Sequence, residues 1–84
     1  MPKENNNSIN VFPTITNNII TIQLKEKPKD LAIKVFNSIG DLLLVKNSSL
    51  LETQIDLGTF QNGIYYIHIA DQSLFKTFKV VKID

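Results

Sequence analysis

The stretch that decides the fold is Leu57-Gly-Thr-Phe-Gln-Asn-Gly-Ile-Tyr-Tyr-Ile-His-Ile69. An Asn-Gly step leads into an apolar segment, and a tyrosine follows two residues after the glycine. Gly63 has the conformational freedom for the positive φ that such a corner needs. Tyr65 is placed to turn its ring inward while its hydroxyl reaches the backbone upstream. We therefore predict a tight corner at the start of a buried strand.

Outward from this corner, the chain alternates between apolar and polar residues with a period of two, which is typical of β-strands. The segment Asn37 to Asp41 predicts a hairpin loop in which Gly40 supplies a positive φ. Pro13 ends the first strand, because proline has no backbone N–H to donate. The predicted strands cover residues 9–12, 18–24, 31–36, 41–46, 52–57, 63–70 and 74–83, with polar turns that include 25–30, 47–49 and 71–73.

Short strands spaced in this way, together with the tyrosine corner, indicate an all-β fold. The prediction is an immunoglobulin-like antiparallel β-sandwich of about seven strands. The strand at residues 63–70 is the most apolar and is expected to be central. The predicted core consists of Ile20, Ile22, Leu24, Ile33, Val35, Ile55, Leu57, Tyr65, Ile67, Ile69 and Val80.

The composition is that of one small domain. Its 84 residues suffice for a single two-layer core. Residues 1–8 are polar and are predicted to be a flexible linker, so that residues 9–84 form the domain. All nine basic residues are lysines and the formal net charge is +1, which argues against nucleic-acid binding. No apolar run reaches the roughly 20 residues of a membrane span.

The sequence offers no constellation for catalysis or metal binding. It contains no cysteine, and His68 is its single histidine. One imidazole without partners makes neither a metal site nor a nucleophilic triad. Most aspartates lie at predicted turns, where this residue folds back on its own backbone. These patterns predict no cofactor and no metal site, and no catalytic constellation can be assembled from them.

Four segments carry a family resemblance: Asn10 to Asn18, which begins Asn10-Val11-Phe12-Pro13, then Ile33 to Leu42, Ile55 to Ile67 and Thr77 to Lys82. In this order and spacing they resemble motifs of the C-terminal sorting domains of the type IX secretion system of Bacteroidetes. The first is similar to the family's Val-Tyr-Pro-Asn-Pro box, although its second proline is replaced by isoleucine. The others are similar to its Val-Tyr-Asn-x-x-Gly hairpin, its Asp-Leu…Gly-x-Tyr segment and its lysine-rich closing strand.

The resemblance implies a non-catalytic sorting tag that directs an N-terminal cargo protein across the outer membrane. It implies that the folded domain is recognised in the periplasm by the type IX translocon and a sortase-like machinery. The cargo would then be cut free upstream of the domain, and attached to the cell surface or released. The linker at residues 1–8 fits a cleavage region. The sorting-motif residues that the resemblance implies are Phe12, Pro13, Asn37, Gly40, Gly63, Tyr65, Lys79, Val80 and Lys82.

The final strand is predicted to be the recognition element. Lys76 and Lys82 should share one face with Phe78 and Val80, whereas Lys79 points to the other. With the C-terminus, these lysines are expected to form an exposed cationic end on an edge strand, which a partner pairs with or reads electrostatically. The alternative is that the lysines only protect a sheet edge from aggregation.

A carbohydrate-binding or adhesion β-sandwich of a surface protein is the alternative function, because sandwich folds serve both purposes. Phe60 and Tyr66 are the candidates for a sugar-stacking platform, although two aromatic residues near a loop are also typical of packing. A domain that only stabilises its neighbour is a third interpretation.

Overall fold

Eight β-strands make up most of the described chain. The structure is a computed structural model that describes residues 9–26, 28–71 and 75–83, and within these residues it contains no helix. The strands are β1 (Ile9–Phe12), β2 (Ile15–Thr16), β3 (Ile19–Leu24), β4 (Leu31–Asn37), β5 (Leu42–Ser48), β6 (Glu52–Asp56), β7 (Gly63–Ala70) and β8 (Phe75–Lys82).

The strands form two sheets. One has three strands in the order β1-β3-β6, and the other has five strands in the order β2-β8-β7-β4-β5. Neighbouring strands are antiparallel except for β2, which runs parallel to β8. The all-β fold is consistent with an immunoglobulin-like sandwich, and the predicted fold class is confirmed. As predicted, β7 lies in the interior of its sheet.

The core lies between the two sheets because apolar residues occupy every second position of the strands that face it. In β4, for example, Leu31, Ile33 and Val35 are fully buried. Each such aliphatic side chain contributes about 1.5 to 3 kcal/mol to folding through its burial. Ten of the eleven predicted core residues are buried, and Leu24 packs against the core in part. The buried set also contains Ile9, Val11 and Leu31, which the predicted core did not include.

The end of β5 differs from the prediction by two residues, and every other predicted strand boundary agrees to within one residue. Strand β5 continues to Ser48 because its pairing with β4 extends as far as Leu31 opposite Ser48, and the Ser48 hydroxyl also hydrogen-bonds that of Thr53 at 2.7 Å. These partners keep polar residues in a strand where the sequence predicted a break. The last strand begins at Phe75, and residues 72 and 73 of the predicted turn lie outside the described residues.

The short strand β2 was not predicted, and it changes the position of the last strand. The chain leaves the three-stranded sheet after Phe12 and joins the five-stranded sheet at Ile15, so Pro13 lies in the crossing between the sheets. There β2 pairs with Val81 and Lys82. The expectation that the last strand is an edge strand is therefore wrong for its C-terminal part, which β2 covers.

Candidate functional site

Most of the predicted sorting-motif residues lie at one end of the five-stranded sheet. Asn37, Tyr65 and Val80 form one row across β4, β7 and β8. Gly63 and Lys82 pair in a further row at the start of β7. We call the region of these two rows the motif end. Segments far apart in the sequence meet there because β4 and β8 end where β7 begins.

The hairpin between β4 and β5 is shaped by Asn37. Its side-chain oxygen accepts hydrogen bonds from the backbone N–H groups of Ile39, at 3.1 Å, and Asp41, at 2.9 Å. Gly40 has a φ of 93°, a left-handed conformation that side chains other than glycine rarely adopt. The predicted hairpin loop and its glycine are confirmed, and both residues have a clear role in forming this turn.

The tyrosine corner is also present. The Tyr65 hydroxyl donates a hydrogen bond to the carbonyl oxygen of Gln61 at 2.5 Å, and the residue is only 6% exposed. Its ring stacks on Phe60 with 5.5 Å between the ring centroids. The φ of Gly63 is 159°, which borders on extended backbone. Tyr65 therefore joins the loop before β7 to the core, as the sequence predicted.

A shallow cleft of about 420 Å³ lies between this corner and the β4–β5 hairpin. Asn37, Ser38 and Ile39 line one side of it, and residues 59–65 line the other. No carboxylate, imidazole or amine is among the residues that line the cleft. The cleft can offer hydrogen-bonding and apolar contacts, and the one lining group of a kind used in acid–base chemistry is the Tyr65 phenol, whose hydroxyl donates to the Gln61 carbonyl.

The remaining motif residues differ widely in exposure. Phe12, at the end of β1, is 44% exposed, whereas Val80 is fully buried. Lys79 is exposed on the face of β8 that points away from the core. Lys82 is only 3% exposed, so the expectation that it belongs to an exposed cationic end is wrong. Strand alternation places it on the inner face, and β2 pairs with the strand at this point through Thr16.

The two halves of β8 also differ in the backbone hydrogen bonds that they make on the side away from β7. The Val81 N–H donates to the Thr14 carbonyl at 2.7 Å, and the Ile83 N–H donates to the Thr16 carbonyl at 2.8 Å. On the side away from β7, no strand among the described residues pairs with Phe75–Lys79. We call the backbone of this segment, on that side, the open edge. The predicted edge is thus present in the first half of β8 only.

His68 lies in an aromatic cluster on the outer face of the five-stranded sheet, the face that points away from the core. Its ring centroid is 4.5 Å from that of Phe36 and 5.5 Å from that of Phe75. The described residues contain no group of three side chains that could hold a metal ion. Sequence analysis missed this cluster because its rings come from three separate strands. The only signal was the alternation that places them all on the outer face.

The proposed sugar-stacking platform does not form. Phe60 packs against the core and stacks on Tyr65, whereas Tyr66 is the next residue along β7 and therefore points to the opposite face. The two rings do not share one surface. This arrangement removes the specific feature that favoured the carbohydrate-binding alternative.

Comparison with known proteins identifies the chain's family. A family model described as the secretion system C-terminal sorting domain matches residues 10–83. A search of curated proteins gave no match. Among the described residues, the structure has no helix of the length and apolarity needed to cross a membrane.

Proposed function

The chain belongs to the C-terminal sorting domains of the type IX secretion system, and we propose that it directs an N-terminal cargo protein through that system. In this proposal the folded domain passes through the periplasm and is recognised by the translocon. A sortase-like machinery then cuts the cargo free upstream of the domain, within or before residues 1–8, and the cargo is attached to the cell surface or released. The family match along nearly the whole chain is the observation that carries the proposal.

The geometry of the motif residues supports a role in presenting a surface. Asn37 and Gly40 shape the hairpin, and Tyr65 holds the corner beside it. The cleft between the hairpin and the corner is lined by uncharged residues. We therefore assign a non-catalytic role to the domain. Asn37, Gly40 and Tyr65 maintain the shape of the surface that is recognised.

Two other motif residues carry long, exposed side chains that can contact the machinery directly. Phe12 is 44% exposed at the end of β1, and Lys79 is exposed on β8. We assign contact roles to these two side chains. The buried Val80 and Lys82 support the strand that carries Lys79.

The test is an export assay in a host that has a type IX secretion system. Residues 1–84 are fused to the C-terminus of a periplasmic reporter, and reporter at the cell surface and in the medium is measured. We expect export of the fusion, and retention of the same fusion in a strain that lacks the translocon. Retention in both strains would contradict the proposed function, and so would equal export from both.

A further inference from the structure

All charged residues in the strands of the five-stranded sheet are positive. Its strands β2, β8, β7, β4 and β5 contain five lysines and no aspartate or glutamate. In contrast, β6 of the three-stranded sheet carries Glu52 and Asp56. Lys76 and Lys79 are both exposed and lie within or beside the open edge of β8. A partner that docks along this edge is therefore favoured if it carries carboxylates.

The backbone of the open edge is oriented to accept another strand. Val81 donates its N–H away from β7, to Thr14. Along a strand, the N–H and C=O groups of every second residue point to the same side. Thr77 and Lys79 therefore direct their backbone groups to the side on which β2 lies, but beyond the two residues with which β2 pairs.

The side chains around the open edge provide both apolar and charged contacts. Phe75 is 65% exposed and has its ring against His68. Lys79 is on the outer face with Phe75, whereas Lys76 is on the inner face. An added strand would place its own alternating side chains beside these positions, so that carboxylates could meet the lysines and an apolar residue could cover Phe75.

We propose that the open edge of β8 binds an extended, acidic segment of a protein of the secretion machinery, which adds a strand to the sheet in line with β2. Main-chain hydrogen bonds to Thr77 and Lys79 give affinity, and Lys76 and Lys79 select carboxylates. A second copy of this chain is disfavoured as the occupant, because it would bring a second lysine-rich edge against the first. The inference rests on the proposed function and names the surface and the chemistry of recognition.

The first test uses export of the reporter fusion with variants at the open edge. Thr77→Pro removes a backbone donor that points away from β7, a position at which proline is tolerated in a strand. We expect it to lower export by about tenfold or more, while the purified domain keeps its β-sheet circular dichroism. Lys79→Glu should lower export to a similar degree. Lys34→Glu is the matched control, because Lys34 is an exposed lysine on the outer face of β4, away from the open edge, and we expect it to retain export.

The outcomes separate the inference from the proposed function. If the unaltered fusion is not exported by the type IX system, the proposed function fails and the inference fails with it. If that fusion is exported and a folded Thr77→Pro variant is exported equally well, the inference alone is overturned. If Thr77→Pro does not fold, the lysine pair decides. Equal export of Lys79→Glu and Lys34→Glu would then overturn the inference.

The second test measures binding directly with a synthetic valine peptide that carries two glutamates three positions apart, so that an extended strand presents one carboxylate on each face, as β8 presents Lys76 and Lys79. We expect this peptide to slow amide hydrogen exchange at Thr77 and Lys79 in the full chain, and a matched valine–lysine peptide to leave it unchanged. No slowing by the acidic peptide, or equal slowing by both, would overturn the inference. Exchange that slows only as the protein concentration rises, with dimers in sedimentation, would overturn it in favour of a second copy.

Discussion

The two halves of β8 show how the same residue type takes different roles in one strand. Lys79 lies in the half of β8 that has the open edge, and its side chain is exposed. Lys82 lies in the half that pairs with β2, and its side chain is only 3% exposed. They are three positions apart in the strand, so they also point to opposite faces. The comparison teaches that a lysine pattern in the sequence does not by itself define a cationic surface. The neighbouring strand and the face decide which charge a partner can reach.

The largest expected effect comes from removing residues 80–84, which include the covered half of β8, the part that pairs with β2. A chain that ends at Lys79 loses the fully buried Val80 and the residues with which β2 pairs. We expect the loss to exceed about 5 kcal/mol, the lower end of typical domain stability. Cooperative thermal unfolding measured by circular dichroism should disappear, and removal of Asp84 alone is the control for shortening. Persistence of a cooperative transition would show that the covered half is dispensable.

This expectation limits what truncation can reveal about recognition. If the shortened domain does not fold, its failure to be exported reports on folding and not on a lost contact. Point changes on the exposed half are therefore the informative tests of recognition.

Tyr65→Ala is expected to have the next largest effect. Tyr65 pairs with Val80 across the covered half and joins the core to the loop through Gln61. Deleting a buried aromatic side chain lowers the free energy of unfolding by about 3 to 5 kcal/mol. Denaturant unfolding of the Tyr65→Ala variant measures this loss. Tyr65→Phe keeps the ring and should cost only about 1 kcal/mol for the lost hydrogen bond. A loss below about 1 kcal/mol for the alanine variant would contradict the packed corner.

Lys82→Gln is expected to have an intermediate effect. The side chain is buried beside Val80, so glutamine shortens a packed aliphatic stem and removes the amine. We expect a loss of about 1 to 2 kcal/mol in the free energy of unfolding. Lys82→Met, which retains an unbranched apolar stem, separates the contribution of the stem from that of the charge. An unchanged stability for Lys82→Gln would mean that burial of Lys82 contributes nothing to the covered half.

Sequence alone predicted the parts of the fold that depend on local alternation and turn chemistry. The strand containing Ile33 and Val35, the Gly40 hairpin and the Tyr65 corner all follow from neighbouring residues. Ile9 was missed as a core residue because its strand has only four residues, and its burial depends on pairing with β3.

The candidate site was predicted less completely, for a related reason. Strand β2 has two residues, too few for a period to be seen, and it exists because the Val81 N–H reaches the Thr14 carbonyl from the far end of the chain. Alternation along β8 already placed Lys82 on the face of Val80 and Lys79 on the other face, but without β2 the sequence could not predict that the strand is covered at Lys82. Contacts between distant segments therefore set the limit of what the sequence could predict here.

The smallest effect on stability is expected for Lys79→Gln, the counterpart of Lys82→Gln in the other half of β8. Lys79 is exposed on the outer face opposite Tyr66, so its replacement should change the free energy of unfolding by no more than about 0.5 kcal/mol. The same variant should nevertheless reduce export of the reporter fusion, because it removes a charge at the open edge without disturbing the backbone. Denaturant unfolding and the export assay on one preparation separate the two effects. Lys34→Gln, with the same charge change on β4, should leave both measurements unchanged. If Lys79→Gln and Lys34→Gln are exported alike, the two halves of β8 differ in structure but not in recognition.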